Sequence, residues 1–108
     1  MLQLDPQSKI ILYPKPVNLH KSFDALMLLV DTEMNLKLEP NLYILFCNLR
    51  KNRIKILYYN GKRLLLIATR FEHALHFSFQ EGVSFDSISF DKFLDKPNPR
   101  SRINKMIN

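Results

Sequence analysis

Tryptophan is absent from this 108-residue chain, and glycine and cysteine are almost absent, with two glycines and one cysteine. With only Gly61 and Gly82, there is no glycine-rich loop to cradle a nucleotide phosphate. A single thiol, Cys47, cannot close an internal disulfide. Its place in the apolar run "LYILFC" predicts a reduced, buried core residue rather than a nucleophile. No apolar run approaches the roughly 20 residues that span a bilayer. The N-terminus, with Asp5 and Pro6, lacks the apolar centre of a signal peptide. The expectation is a soluble, cytoplasmic protein with no membrane association. The ten carboxylates are scattered with no acid–base or metal spacing. His73 and His76, three apart in a stretch that reads as a strand, would face opposite ways. His20 reads as a surface residue. No cofactor, no metal site and no enzymatic activity are expected.

Acidic residues are also missing from one long stretch. Between Arg50 and Arg70, "RKNRIKILYYNGKRLLLIATR", stand seven basic residues and no acidic one. The other nine basic residues face ten acidic ones, so the net charge of +6 is concentrated in this segment. A local excess of one sign is the form a surface for a negatively charged partner takes.

With 46% apolar residues the chain is an ordinary globular one, and its length suits a single domain spanning 1–108. The core is expected over about 9–95, followed by a basic tail at 96–108. "KIILY" at 9–13 predicts a short strand, ended by the prolines of "PKP" at 14–16. A helix is expected next, capped by Asn18. Leu19, Phe23, Leu26, Met27, Val30 and Met34 draw one apolar stripe, and Ala25, Leu28 and Leu29 widen it towards burial on more than one side. Strands are expected at 42–47, 53–59, 64–70 and 74–79. Asn60-Gly61 marks a hairpin, and Gly82 breaks the chain after the last strand. Ser89 would cap a short helix, "FDKFLD", before Pro97 and Pro99. The fold class that follows is α+β: an antiparallel meander of about four to five strands, one main helix packed on the sheet, and a short C-terminal helix.

The hairpin's parity sorts its side chains. A two-residue loop sets Tyr59 opposite Lys62 and Leu57 opposite Leu64, whereas a loop over 60–63 shifts the pairing by two and leaves every face unchanged. Ile54, Ile56, Leu65 and Ile67 then form a core face, with Tyr58 and Arg63 at the loop end. Arg53, Lys55, Leu57, Tyr59, Lys62, Leu64, Leu66 and Arg70 share the other, where covered leucines and exposed cations are expected. Arg50 and Lys51, in the preceding turn, are expected to be exposed.

Two blocks resemble a known family. "N-L-H-K-S-F-D-A-L" at 18–26 is similar to a helix-opening pattern "D-M-R-K-G-F-D-G-L", sharing Lys21, Phe23, Asp24 and Leu26. "R-K-N-R-I-K-I-L-Y-Y-N" at 50–60, followed by "T-R-F-E" at 69–72, is similar to "R-R-x-x-R-I-K-I-L-Y-W-D" followed by "K-R-L-E". The chain thus resembles, over about 9–95, the small accessory proteins of bacterial transposable elements of the insertion sequence 66 family. It reads as a diverged member. His20 stands where the pattern has arginine, Ser22 and Ala25 where it has glycine, and Thr69 where it has lysine, and no aromatic-proline pair follows around Ser78 and Phe79.

The resemblance implies a non-catalytic role in DNA transposition, with the element's separate transposase as a partner. Matching positions point to Lys21, Arg50, Lys51, Arg53, Lys55 and Arg70, with Asp24 and Glu72 as pairing carboxylates. Charge and parity add Tyr59 and Lys62 to a nucleic-acid-binding set and make DNA the expected partner. One alternative is an adaptor that docks on the transposase through Leu57, Tyr58 and Tyr59, anchored by Arg50 and Arg53. Another is a single-strand or RNA binder using Tyr59 and Phe77 as stacking platforms. Oligomeric state cannot be read from the chain.

Overall fold

A computed structural model describes residues 6–95. The basic tail expected at 96–108 lies outside the described residues. Five strands and two helices follow in order: β1 (Lys9–Leu12), α1 (Phe23–Thr32), β2 (Leu42–Cys47), β3 (Arg53–Tyr59), β4 (Leu64–Arg70), β5 (Ser84–Asp86) and α2 (Ser87–Asp95). They form one sheet in the order β4-β3-β2-β1-β5. The meander β2-β3-β4 is antiparallel, as alternation and the Asn60-Gly61 turn require. The sheet as a whole is mixed, because β1 pairs parallel to β2 and antiparallel to β5. A parallel neighbour needs a long crossover, and the segment containing α1 supplies it. Among the described residues no helix is long and apolar enough to cross a membrane.

Three local expectations are corrected. The cap of α1 is Ser22, whose hydroxyl accepts from Ala25 N–H at 3.3 Å, and not Asn18, whose side chain instead accepts from His20 N–H at 3.0 Å. Leu19 therefore lies before the helix, and Leu28 is 59% exposed, so α1 buries one side only, through Leu26 and Val30. Residues 74–79 form no strand. Leu75 makes an isolated bridge, its N–H donating to Lys51 O at 2.7 Å, and the chain continues irregularly to β5. The last helix starts earlier than Ser89. Asp86 caps it by accepting from Ser89 N–H at 2.7 Å, a bond that holds the Asp86 carboxyl below the usual carboxylate range.

Both faces of the sheet are cored. On one, Ile44, Phe46 and Leu57 pack against Leu26 and Val30 of α1, with Tyr13 and Val17 closing the side. The Tyr13 hydroxyl donates to Glu33, just past the end of α1, and Glu33 also lies 3.9 Å from Lys15. On the other face, Ile10, Leu12, Leu45, Cys47, Ile54 and Ile56 meet Leu75, Phe90 and Leu94, bordered by Phe77, Phe79, Phe85 and Phe93. Cys47 is fully buried there, and burial pushes its thiol up to about 12. Labelling by a thiol reagent at neutral pH is expected to proceed only through opening of the sheet. Native and denatured protein should differ in rate by orders of magnitude, and comparable rates would show that β2 is not a buried strand.

Candidate nucleic-acid interface

The hairpin closes with the longer of the two loops, Asn60–Arg63, so Tyr59 faces Leu64 and Leu57 faces Leu66. Asn60 shapes it, its side-chain oxygen accepting from Lys62 and Arg63 N–H at 3.0 and 2.8 Å, while Gly61 takes φ +98°. The face assignment is unchanged by the shift. Leu57 is covered on the α1 side and Leu66 packs against the same cluster, while Leu64 remains 43% exposed. Leu65 and Ile67 are only half-buried and stand outside both core clusters. The reason is that α2 lies over β5 and β1, at the far side of the sheet from β4.

The α1-side cover ends before the Arg53 end of the hairpin, leaving a cleft of about 840 Å³. The loop at 16–20 forms one wall, tied to the sheet by Val17 N–H donating to Cys47 O at 2.9 Å. The turn at 48–50 and the ends of β3 and β4 form the rest, with Arg50, Arg53, Lys55 and Arg70 among the lining residues. Among the described residues no Asp or Glu lines the cleft. Among the described residues these four cations have no carboxylate partner, since the ion pair present joins Lys15 and Glu33. Arg53 and Arg70 are directly opposite in the ladder. Phe71 N–H donates to Asn52 O at 2.7 Å, so the adjacent Arg53–Arg70 pair falls between ladder bonds, the arrangement that brings side chains closest. Like charges in that position destabilise a sheet.

The turn leading into β3 is tightly organised. The Asn48 side chain accepts from Asn52 and Arg53 N–H at 3.1 and 3.0 Å and donates to Asn52 Oδ1 at 2.7 Å. Lys51 sits in the left-handed region at φ +60°. It is half-buried, not exposed as expected. Its ammonium donates to Phe77 O at 2.5 Å and lies 5.1 and 5.5 Å from the Phe77 and Phe79 ring centres. The neighbouring residues in sequence, Arg50 and Lys51, thus serve opposite sides of the sheet.

Of the other residues expected to bind nucleic acid, Lys21 is exposed beside His20 but does not line the cleft. Tyr59 and Lys62 lie at the hairpin tip, six or more residues along from Arg53. That is about 20 Å of strand, and the Tyr59 hydroxyl donates to Gly61 O at 2.7 Å. Phe77 is half-buried among other phenylalanines and under Lys51, not displayed beside Tyr59. His20 and Leu49 line the cleft and were not among the expected site residues. His20 carried a signal, standing at the position where the family pattern has a cation. Leu49 carried none, although it is 74% exposed.

A sequence profile settles the relationship. The family described as IS66 Orf2 like protein matches residues 8–91, which take in both α1 and the whole cationic hairpin. The chain belongs to the IS66 Orf2-like family. No curated protein matches the chain. No solved structure matches it either. The family is one of accessory proteins of insertion sequence 66 elements, and its role is in transposition. The match runs from Ser8, at the start of β1, to Asp91 in α2. It thus includes every strand of the sheet and every residue of the cleft.

Proposed function

We propose that this IS66 Orf2-like protein serves transposition by holding a DNA sugar–phosphate backbone in the cleft formed by the 16–20 loop and the open ends of β3 and β4. The observation that carries the reading is the Arg53–Arg70 pair: two arginines directly opposite each other across the ladder, flanked by Arg50 and Lys55, with no carboxylate among the described residues to neutralise them. Free in solution, that arrangement opposes folding. A phosphate between the two arginines turns it into a favourable one, because guanidiniums bind phosphate oxygens with charge-assisted hydrogen bonds. The cleft presents a strand end and loops rather than a recognition helix, so the contacts position the protein without reading sequence.

The test is a salt titration of duplex binding. Four phosphate contacts give a slope of log affinity against log salt of about −3.6. Arg70→Glu should shift two readouts in opposite directions. Affinity should fall and the slope should flatten by about 0.9 or more. The free protein should become more stable by about 1 kcal/mol, because a repulsive cross-strand pair becomes an attractive one. A variant that loses stability without losing DNA affinity would overturn the assignment of the cleft.

One observation favours a second reading. Leu49, 74% exposed, stands at the cleft with Val17 and Leu19 among the lining residues. An apolar lining with a cationic rim also suits an acidic, apolar segment of the transposase. Co-purification of transposase that survives nuclease treatment, and is lost in Leu49→Asp, would favour that adaptor role.

A further inference from the structure

The two edges of the sheet are finished differently. The β5 edge is three residues long and runs straight into α2. The β4 edge is seven residues, Leu64–Arg70, with no proline, no lysine and, in its unbroken register with β3, no bulge, and its one charge, Arg70, stands at the very end. From Leu64 to Thr69 it carries no charge at all. The ladder bonds at its two ends, Asn60 N–H to Arg63 O at 3.1 Å and Phe71 N–H to Asn52 O at 2.7 Å, fix the alternation. Leu65, Ile67 and Thr69 turn their backbone groups to β3, while Leu64, Leu66, Ala68 and Arg70 turn theirs outward, beyond the sheet.

We infer that β4 pairs antiparallel with β4 of a second copy of this chain, making one continuous ten-stranded sheet. The strand is its own best complement. The register centred on Ile67 pairs all seven residues, placing Leu66 opposite Ala68, Leu65 opposite Thr69 and Leu64 opposite Arg70 of the second copy. No like charges meet, whereas a register centred on Leu66 would set Arg70 against Lys62. Pairing also covers Leu65 and Ile67, which neither core cluster takes in. Residues paired across a sheet share a face, so the two cationic clefts come to the same side. Their Arg70 residues lie six positions apart along the strand, about 20 Å. That exceeds the screening length of about 8 Å at physiological salt, so the two charged sites do not oppose assembly. The dimer stands or falls independently of what the clefts bind.

Sedimentation of the full chain tests this directly. The parent should sediment at twice the 12.8 kDa chain mass. Ala68→Pro removes one outward N–H and leaves the β3 ladder intact, so it should sediment as a monomer with an unchanged circular dichroism spectrum. Ile67→Cys stands next to its own copy in the proposed register and should form a disulfide-linked dimer on mild oxidation. Leu65→Cys, which faces Thr69, should not, and Cys47 is too deeply buried to interfere. A parent that remains at single-chain mass at every concentration overturns the inference and leaves the edge to a different protein. A dimer in which Ile67→Cys fails to cross-link, or Leu65→Cys links as well, also overturns it. The cysteine pair decides the matter even if Ala68→Pro fails to fold.

Discussion

Replacing Arg53 and Lys55 together with glutamate is expected to remove most of the duplex affinity while leaving the fold in place. Both residues lie on the α1 side of β3 and line the cleft, Arg53 opposite Arg70 and Lys55 opposite Ala68. Losing two of four phosphate contacts flattens the salt slope from about −3.6 to about −1.8, and the two new carboxylates repel the backbone that the parent attracted. The loss should be the same for all duplex sequences, since phosphate contacts position and do not specify. Stability should not fall with it. Glutamate at 53 faces Arg70 and relieves the like-charge pair, and the buried neighbours Ile54 and Ile56 point to the opposite core. The measurement is a salt titration on the variant beside its thermal melt. Parent-like affinity in a folded double variant would place the DNA site elsewhere or favour the adaptor role.

The second large effect concerns the support of that site. Phe46 is fully buried near the end of β2, its ring 5.4 Å from that of Tyr13 and its backbone paired with Lys55. It packs in the cluster that joins α1 to the sheet. Phe46→Ala should cost about 3–5 kcal/mol, from the lost apolar contact and from a cavity that the rigid strands cannot close. A domain of this size is typically stable by about 5–15 kcal/mol, so the melting temperature should fall by something on the order of 20 °C. Leu28→Ala, on the outer side of α1 at 59% exposure, is the matched control and should change stability by no more than about 0.5 kcal/mol. Equal effects from the two would mean that α1 is not seated on this face.

The position of the cleft adds a functional consequence. The cations stand where the α1-side cover stops, so the site depends on α1 and the 16–20 loop being seated. Phe46→Ala is therefore expected to weaken DNA binding as well, at temperatures where the variant remains folded, by loosening the wall rather than by removing a contact.

Much of this protein is legible in its chain, and the legible part is local. The bounds of β2, β3 and β4 follow from apolar runs and the Asn60-Gly61 turn. The parity that gathers Arg53, Lys55 and Arg70 on one side follows from a period of two that survives either loop length. The charge field and the family pattern are also properties of the chain alone. What the chain left open depends on which distant segments meet. Nothing local states that β1 lies parallel to β2, or that the 16–20 loop comes to rest beside the ends of β3 and β4 and turns a charged face into a cleft. Nothing local separates Arg50 from Lys51. Only the arrival of residues 75–79 on the far side, offering the Phe77 carbonyl and two aromatic rings, draws the Lys51 ammonium away. The expected strand at 74–79 failed for the same reason. Its alternation is real, but β1, β2 and β3 have both edges taken, and beyond the bridge at Leu75 the stretch packs Phe77 and Phe79 on the core cluster instead of reaching the open edge of β4. Periodicity decides which way a side chain points from its own strand. Pairing and cover, which join residues far apart in the chain, decide what it points at.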